Sequence, residues 1–159
     1  MRILVISDSH GDALALKRII KSQPTAEVVF FCGDGEREAE NAKMEFPEKA
    51  FYLVRGNCDW GSSLPVKQEV NVEGVKVFVT HGDIYSVKST DTLMLYTAAG
   101  SGANIVLYGH THEPRVDYVD EIHVVNPGSC HGSMGTFAVI DITKAGIVPV
   151  IMKNEQIMF

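Results

Sequence analysis

Seven side chains able to ligate a metal fall in five short clusters: Asp8-Ser9-His10, Gly33-Asp34-Gly35, Gly56-Asn57-Cys58-Asp59, Thr80-His81-Gly82 and Gly109-His110-Thr111-His112. Carboxylate and imidazole donors joined by one neutral amide oxygen suit divalent transition metals, and two ions sharing one carboxylate would use all seven. The chemistry indicated is two-metal hydrolysis. Each cluster lies just beyond an apolar, β-prone run, so one folded sheet is expected to carry all seven to one edge.

Each cluster has a rival structural explanation. Asp8 and His10 stand at i and i+2, as do His110 and His112, a spacing that puts both side chains on one face of an extended strand end. Gly33 and Gly35 around Asp34 allow a sharp turn and the close approach of a bridging carboxylate, but a helix-capping aspartate would have the same neighbours. Asn57 after Gly56 is also a common turn residue, and His81 could be an ordinary strand-end histidine. The joint pattern favours the site, because every cluster ends a predicted strand.

The elements that must position these residues begin with a strand, Arg2 to Ser7, apolar enough to be buried on both faces. Asp12 can cap a helix carrying Leu14, Leu16, Ile19 and Ile20, which ends before Pro24. The pattern repeats with a strand Val28 to Cys32, an acidic helix from about Glu36 to Phe46 and a third strand Phe51 to Val54. This βαβαβ order implies parallel strands with their loops at one carboxyl edge. Glu73-Gly74 then joins Val66 to Val72 with Val75 to Thr80 as a tight hairpin. A helix from about Ser89 to Ala99 and strands at Ile105 to Tyr108, Arg115 to Tyr118, Ile122 to Val125, Thr136 to Asp141 and Ile147 to Met152 complete the chain. An α/β half followed by a hairpin-rich half predicts two sheets packed face to face with helices outside. Phe30, Phe31, Phe51 and Phe78 are expected in the core.

At 159 residues, 45% of them hydrophobic, the chain suits one domain spanning 1–159. No apolar stretch approaches the ~20 residues of a membrane span, and the run before Asp8 offers neither a long apolar segment nor a small-residue cleavage site, so no signal peptide is expected. Cys32, Cys58 and Cys130 lack metal-finger spacing and fit reduced thiols, so a cytoplasmic location is expected. A net charge of −6 argues against a long nucleic-acid partner, though not against a small phosphoester. Exposed β edges leave room for a homodimer or homotetramer.

In order and spacing the clusters resemble the calcineurin-like metallophosphoesterase family, with its Asp-x-His, Gly-Asp, Gly-Asn-x-Asp, His-Gly and Gly-His-x-His pattern, from Met1 to about Cys130. Gly56-Asn57-Cys58-Asp59 and Asn126-Pro127-Gly128-Ser129 resemble its short prokaryotic phosphodiesterases. The resemblance implies an α/β, four-layer αββα sandwich of two mixed sheets flanked by helices. It implies that Asp8, His10 and His112 hold one metal ion, that Asn57, His81 and His110 hold a second, and that Asp34 bridges, with Asp34, Asn57 and His81 central to catalysis. The cofactors would be two divalent ions, Mn²⁺, Ni²⁺, Fe²⁺, Co²⁺ or Zn²⁺, the nucleophile a hydroxide shared between them, and the substrate a small phosphodiester.

Where larger relatives place a histidine after the ligand asparagine, this chain has Cys58. The missing proton donor, typically worth ~10²–10⁴-fold, predicts a preference for phenolic or activated leaving groups; a small, half-buried packing residue is the rival reading. Asp59 could orient a loop or serve only as a turn carboxylate. Gly33-Asp34-Gly35-Glu36-Arg37-Glu38 departs from the protein phosphatase branch. Cys130-His131 replaces the Pro-Arg pair that often follows Asn-Pro-Gly-Ser, leaving His131 and Arg55 as the nearest substitutes for that arginine. A phosphomonoesterase with the same site is one alternative. Another is a protein-binding scaffold like the retromer subunit that shares the fold with a degraded metal set.

Overall fold

The chain alternates strand and helix early and pairs strands later, and both habits are visible in the computed structural model, which describes residues 1–157. In chain order the elements are β1 (Arg2–Ile6), α1 (Ala13–Ser22), β2 (Ala26–Phe31), α2 (Glu36–Glu45), β3 (Ala50–Leu53), β4 (Lys67–Val72), β5 (Val75–Thr80), α3 (Thr92–Gly100), β6 (Ile105–Leu107), β7 (Arg115–Val119), β8 (Ile122–Asn126), β9 (Thr136–Thr143) and β10 (Gly146–Lys153). Short 3₁₀ turns at Asp83–Tyr85 and Asn154–Gln156 escape the sequence reading. The third helix starts at Thr92 rather than near Ser89, and most other boundaries move by a residue or two, the scale on which element ends fray.

Two five-stranded sheets form, in the orders β10-β9-β1-β2-β3 and β4-β5-β6-β8-β7. Parallel pairs β1–β2 and β2–β3 sit beside antiparallel β9 and β10 in the first. The second combines parallel β5–β6 and β6–β8 with antiparallel edges β4 and β7. Side-chain alternation along each strand divides the core into three layers. Ile3, Val5, Phe30 and Ile140 of the first sheet meet Val77, Val79, Ile105 and Leu107 of the second. Leu4, Ile6, Val29 and Phe31 turn the other way onto Leu16, Ile19 and Ile20 of α1 and Ala39 and Ala42 of α2. Phe78, Val106 and Val124 pack on Met94 and Ala98 of α3. The result is the αββα order of layers. Phe30, Phe31 and Phe78 are fully buried, while Phe51 is half-buried against the first-sheet helices.

One expectation needs correcting. The seven candidate ligands do not come from a single sheet: Asp8, His10, Asp34 and Asn57 follow β1, β2 and β3, whereas His81, His110 and His112 follow β5 and β6. The carboxyl ends of five parallel-running strands, divided between two sheets, meet at one rim of the sandwich.

Candidate metal centre

At that rim the donor atoms of Asp8, His10 and His112 lie within 4.8 Å of one another, as do those of Asp34, His81 and His110. Asp8 Oδ1 is 3.1 Å from His112 Nε2 and 3.5 Å from His10 Nε2. In the second group His81 Nε2 is 3.2 Å from Asp34 Oδ2 and 3.0 Å from Asn57 Oδ1. Asp34 Oδ2 is also 3.8 Å from His10 Nε2, so it stands between the two groups. Asp8, Asp34 and His81 are buried, whereas His10, Asn57 and His112 are exposed, which leaves one open side.

The backbone reaches this arrangement by a route other than strand alternation. Asp8, His10, Asp34, His110 and His112 all have left-handed φ angles, between 42° and 69°. They are five of the nine non-glycine residues with positive φ among those described; the other four lie at hairpin or 3₁₀ turns. Each such residue costs ~1–2 kcal/mol relative to a right-handed one, and strain of this kind persists where the surroundings over-determine it. The i, i+2 pairs are therefore brought together by left-handed turns, not by the face of an extended strand.

Neighbouring groups hold Asp8, Asp34 and His81 from outside the cluster, so that one oxygen or nitrogen of each faces the other candidate ligands. Asp8 Oδ2 accepts from Ser7 Oγ at 2.5 Å and from the His110 N–H at 3.1 Å, which leaves Oδ1 facing His112. The Cys58 N–H donates to Asp34 Oδ1 at 2.8 Å, which leaves Oδ2 facing His81. His81 Nδ1 donates to the Cys32 carbonyl at 2.6 Å, which orients the ring so that Nε2 faces Asp34 and Asn57 and is the unprotonated nitrogen whenever the ring is neutral. Burial pushes the Asp34 carboxyl up, but His81 and the Cys58 N–H outweigh it and hold the group at about 2. Burial likewise lowers the His81 imidazole, and Asp34 and Asp8 overcome that to raise it. Protons thus compete with any cation for this pocket. His110 is lowered by burial and by His81.

Asp34 is not a helix cap. The N-cap of α2 is Gly35, which has no side chain, and the capping carboxylate comes from Asp59. Its two oxygens accept from the N–H groups of Asp34, Gly35, Glu36 and Gly56 at 2.8–3.0 Å, tying two ligand loops together. Gly33 permits that proximity: a Cβ there would stand 2.7 Å from the Gly56 nitrogen and 2.8 Å from His81 Nδ1. Glu38 accepts from Ser9 Oγ and the Gly11 N–H and so steadies the His10 turn. Asn126 donates to the Gly109 carbonyl and to Thr111 Oγ1, and Ser129 Oγ donates to the Asp8 carbonyl. These supporting roles of Ser7, Glu38 and Asn126 are absent from the sequence reading. Only the Asn-Pro-Gly-Ser turn signal marks any of them.

Cys58 is exposed, not half-buried, and its sulfur lies within 4.8 Å of donors on His10 and Asp34. Burial and the Asp34 carboxylate raise its pKa, keeping it a thiol. Arg55 donates to the Ser62 carbonyl, and His131 is exposed. His123 is a β8 residue packed beside the Tyr118 ring. Convergent imidazole, carboxylate and amide oxygen donors fit divalent transition metals.

The calcineurin-like phosphoesterase superfamily domain matches residues 1–145. Phosphodiesterase MJ0936 of Methanocaldococcus jannaschii is 28% identical over 165 residues, covering 91% of this chain and 95% of its own. The crystal structure of a Streptococcus pneumoniae TIGR4 protein, described as a predicted phosphoesterase, superposes with a TM-score of 0.85 at 26% identity, covering 99% of this chain and 92% of that one. Vps29 of Entamoeba histolytica, solved with zinc, has a TM-score of 0.73 over 97% of this chain and 99% of its own; at 17% identity the likeness is one of fold alone.

Proposed function

We propose, from the premise that this chain belongs to the calcineurin-like phosphoesterase superfamily, that it is a metal-dependent phosphodiesterase acting on a small phosphodiester. Asp8, His10 and His112 would hold one divalent ion and Asn57, His81 and His110 a second, with Asp34 shared. The supporting observation is the convergence of all seven donors on a strained rim, each buried carboxylate turning one oxygen toward the histidines there. Two bound divalent ions supply positive charge against phosphoryl oxygens and acidify water at neutral pH.

The chain's own residues do the remaining work. The Cys32 carbonyl and the Cys58 N–H orient His81 and Asp34, so the donors need not reorganise when a cation arrives. Exposed His10, Asn57 and His112 mark the side on which substrate enters. Unlike the histidine of larger relatives, the Cys58 thiol is a poor proton donor to an alkoxide, which favours diesters with phenolic or activated leaving groups. Two free buried thiols, Cys32 and Cys130, accord with a reducing cytoplasm, and no helix among the described residues is long and apolar enough to cross a membrane.

The test is hydrolysis of an aryl phosphodiester by metal-stripped protein given back Mn²⁺, Ni²⁺, Zn²⁺ or Mg²⁺, with bound metal counted by mass spectrometry. Activity should return with at least one ion. Asp34→Asn and His81→Ala should lose at least the roughly 10–100-fold that outer-shell changes cost. Silence with every ion, and fewer than two ions bound per chain, would favour a protein-binding scaffold; faster cleavage of monoesters would favour a phosphomonoesterase.

A further inference from the structure

We infer that Trp60 is a stacking platform for a planar, uncharged aromatic group on the substrate, with Arg37 as its hydrogen-bonding neighbour. The inference rests on the phosphodiesterase reading above and narrows its substrate class. Trp60 is the only tryptophan in the chain, and the residue is 89% exposed. A single exposed apolar side chain is ordinary on a protein surface, but an indole adds a flat π face open to a ring-bearing ligand.

Its loop is held in place. Arg55 donates to the Ser62 carbonyl at 3.3 Å, the Arg55 N–H to the Pro65 carbonyl at 3.0 Å, and the Ser62 N–H to the Asp59 carbonyl at 3.3 Å. Asp59, next to Trp60, is itself bound to the backbone of Asp34 and Gly56. Trp60 therefore directly follows the residue whose carboxylate holds the backbone of the shared candidate ligand.

Two neighbouring surface cavities share lining residues. A cavity of about 300 Å³ takes in His10, Asp34 and Cys58, and one of about 440 Å³ takes in Trp60 and Ser62. Glu36, Arg37 and Asp59 line both. A substrate with its phosphorus at the candidate metal centre would extend past Arg37 to the indole.

The charges along these cavities say what kind of group fits. The Asp59 carboxylate is consumed by backbone N–H groups, while Glu36 and Glu40, on the walls of the outer cavity, repel a second phosphate. Arg37 is exposed and has no ion pair or side-chain hydrogen bond among the described residues, so its guanidinium can donate to a ring nitrogen or carbonyl or lie against a π face. An uncharged planar ring is the group that suits both: a nucleobase or a simple aryl ring. Stacking on tryptophan accepts either.

The sole tryptophan supplies the readout. Metal-loaded protein is titrated with adenosine 5′-monophosphate, phenyl phosphate, glycerol phosphate and phosphocholine while Trp60 fluorescence is followed. The first two should change the emission at concentrations where glycerol phosphate does not, and tighter binding of one identifies nucleobase or aryl ring. For an aryl diester, Trp60→Ala should lower kcat/KM ~5–150-fold, the range of one aromatic stack, with Trp60→Phe recovering most of it and bound metal unchanged. Unaltered emission with both ring-bearing ligands, or unaltered kcat/KM in Trp60→Ala, would overturn the inference, as would a response to phosphocholine alone. An emission change in a protein that cleaves no diester with any metal would keep the platform and refute the phosphodiesterase reading.

Discussion

At the residue scale the rim is built from atoms with one task each. Asp8 and Asp34 both give one oxygen to a neighbouring donor and turn the other toward the histidines of the rim, and His81 is fixed by its Nδ1. Cys58 belongs to this scale too, because its thiol lies beside Asn57, Asp34 and His10, and the proposed reaction would use a proton donor there for its leaving oxygen. Cys58→His should raise kcat for an alkyl phosphodiester more than for an aryl one, up to the ~10²–10⁴-fold typical of general acid help. Equal gains on both esters would show that the position does not protonate the leaving group. The exposure of Cys58 makes the change compatible with folding.

At the element scale, caps connect helices to the site. Asp59 caps α2 from another loop, taking the orphan N–H groups that Gly35 cannot serve. Asp59→Ala should cost roughly 2–3 kcal/mol in denaturant unfolding, as expected when charge-assisted hydrogen bonds are lost, and should weaken metal binding ~10–100-fold. Binding unchanged at reduced stability would limit Asp59 to the cap. Asp12 caps α1 through Ala15 and also accepts from the Gly132 N–H. Burial raises its carboxyl, but those two donors outweigh it and leave the pKa below the ordinary 3.8. A depressed folded-state value means that the stabilisation is complete above the ordinary range and is lost as pH falls through the folded value. Asp12→Ala should therefore cost ~1 kcal/mol near neutrality, and its difference from the parent should shrink in acid. A pH-independent difference would assign the loss to packing.

At the scale of the whole molecule, the apolar layer between the sheets sets the distance between the two halves of the rim. Ile105, fully buried in that layer, lies on the strand that leads to His110 and His112. Ile105→Ala should cost ~2–5 kcal/mol. If residues 1–159 form one domain, as we propose, both sheets should melt in a single transition with equal calorimetric and van't Hoff enthalpies. Two separable transitions would divide the sandwich.

Much of this was legible in the chain itself. Both-face burial showed in the continuous apolar runs of β1 and β2, the hairpin in Glu73-Gly74, and the ligand types in five clusters placed after strands. Those signals are local, set by side-chain period and turn chemistry. The tertiary structure alone decided that the clusters come from two sheets, that left-handed turns rather than strand faces aim the side chains, and that Asp59, Glu38 and Asn126 brace them. It also decided that Arg37 lines both the cavity beside Asp34 and the neighbouring one beside Trp60. The physical reason is distance along the chain. The His110 N–H reaches Asp8 across 102 residues, and such a contact depends on how two sheets pack, which no local pattern of residues encodes.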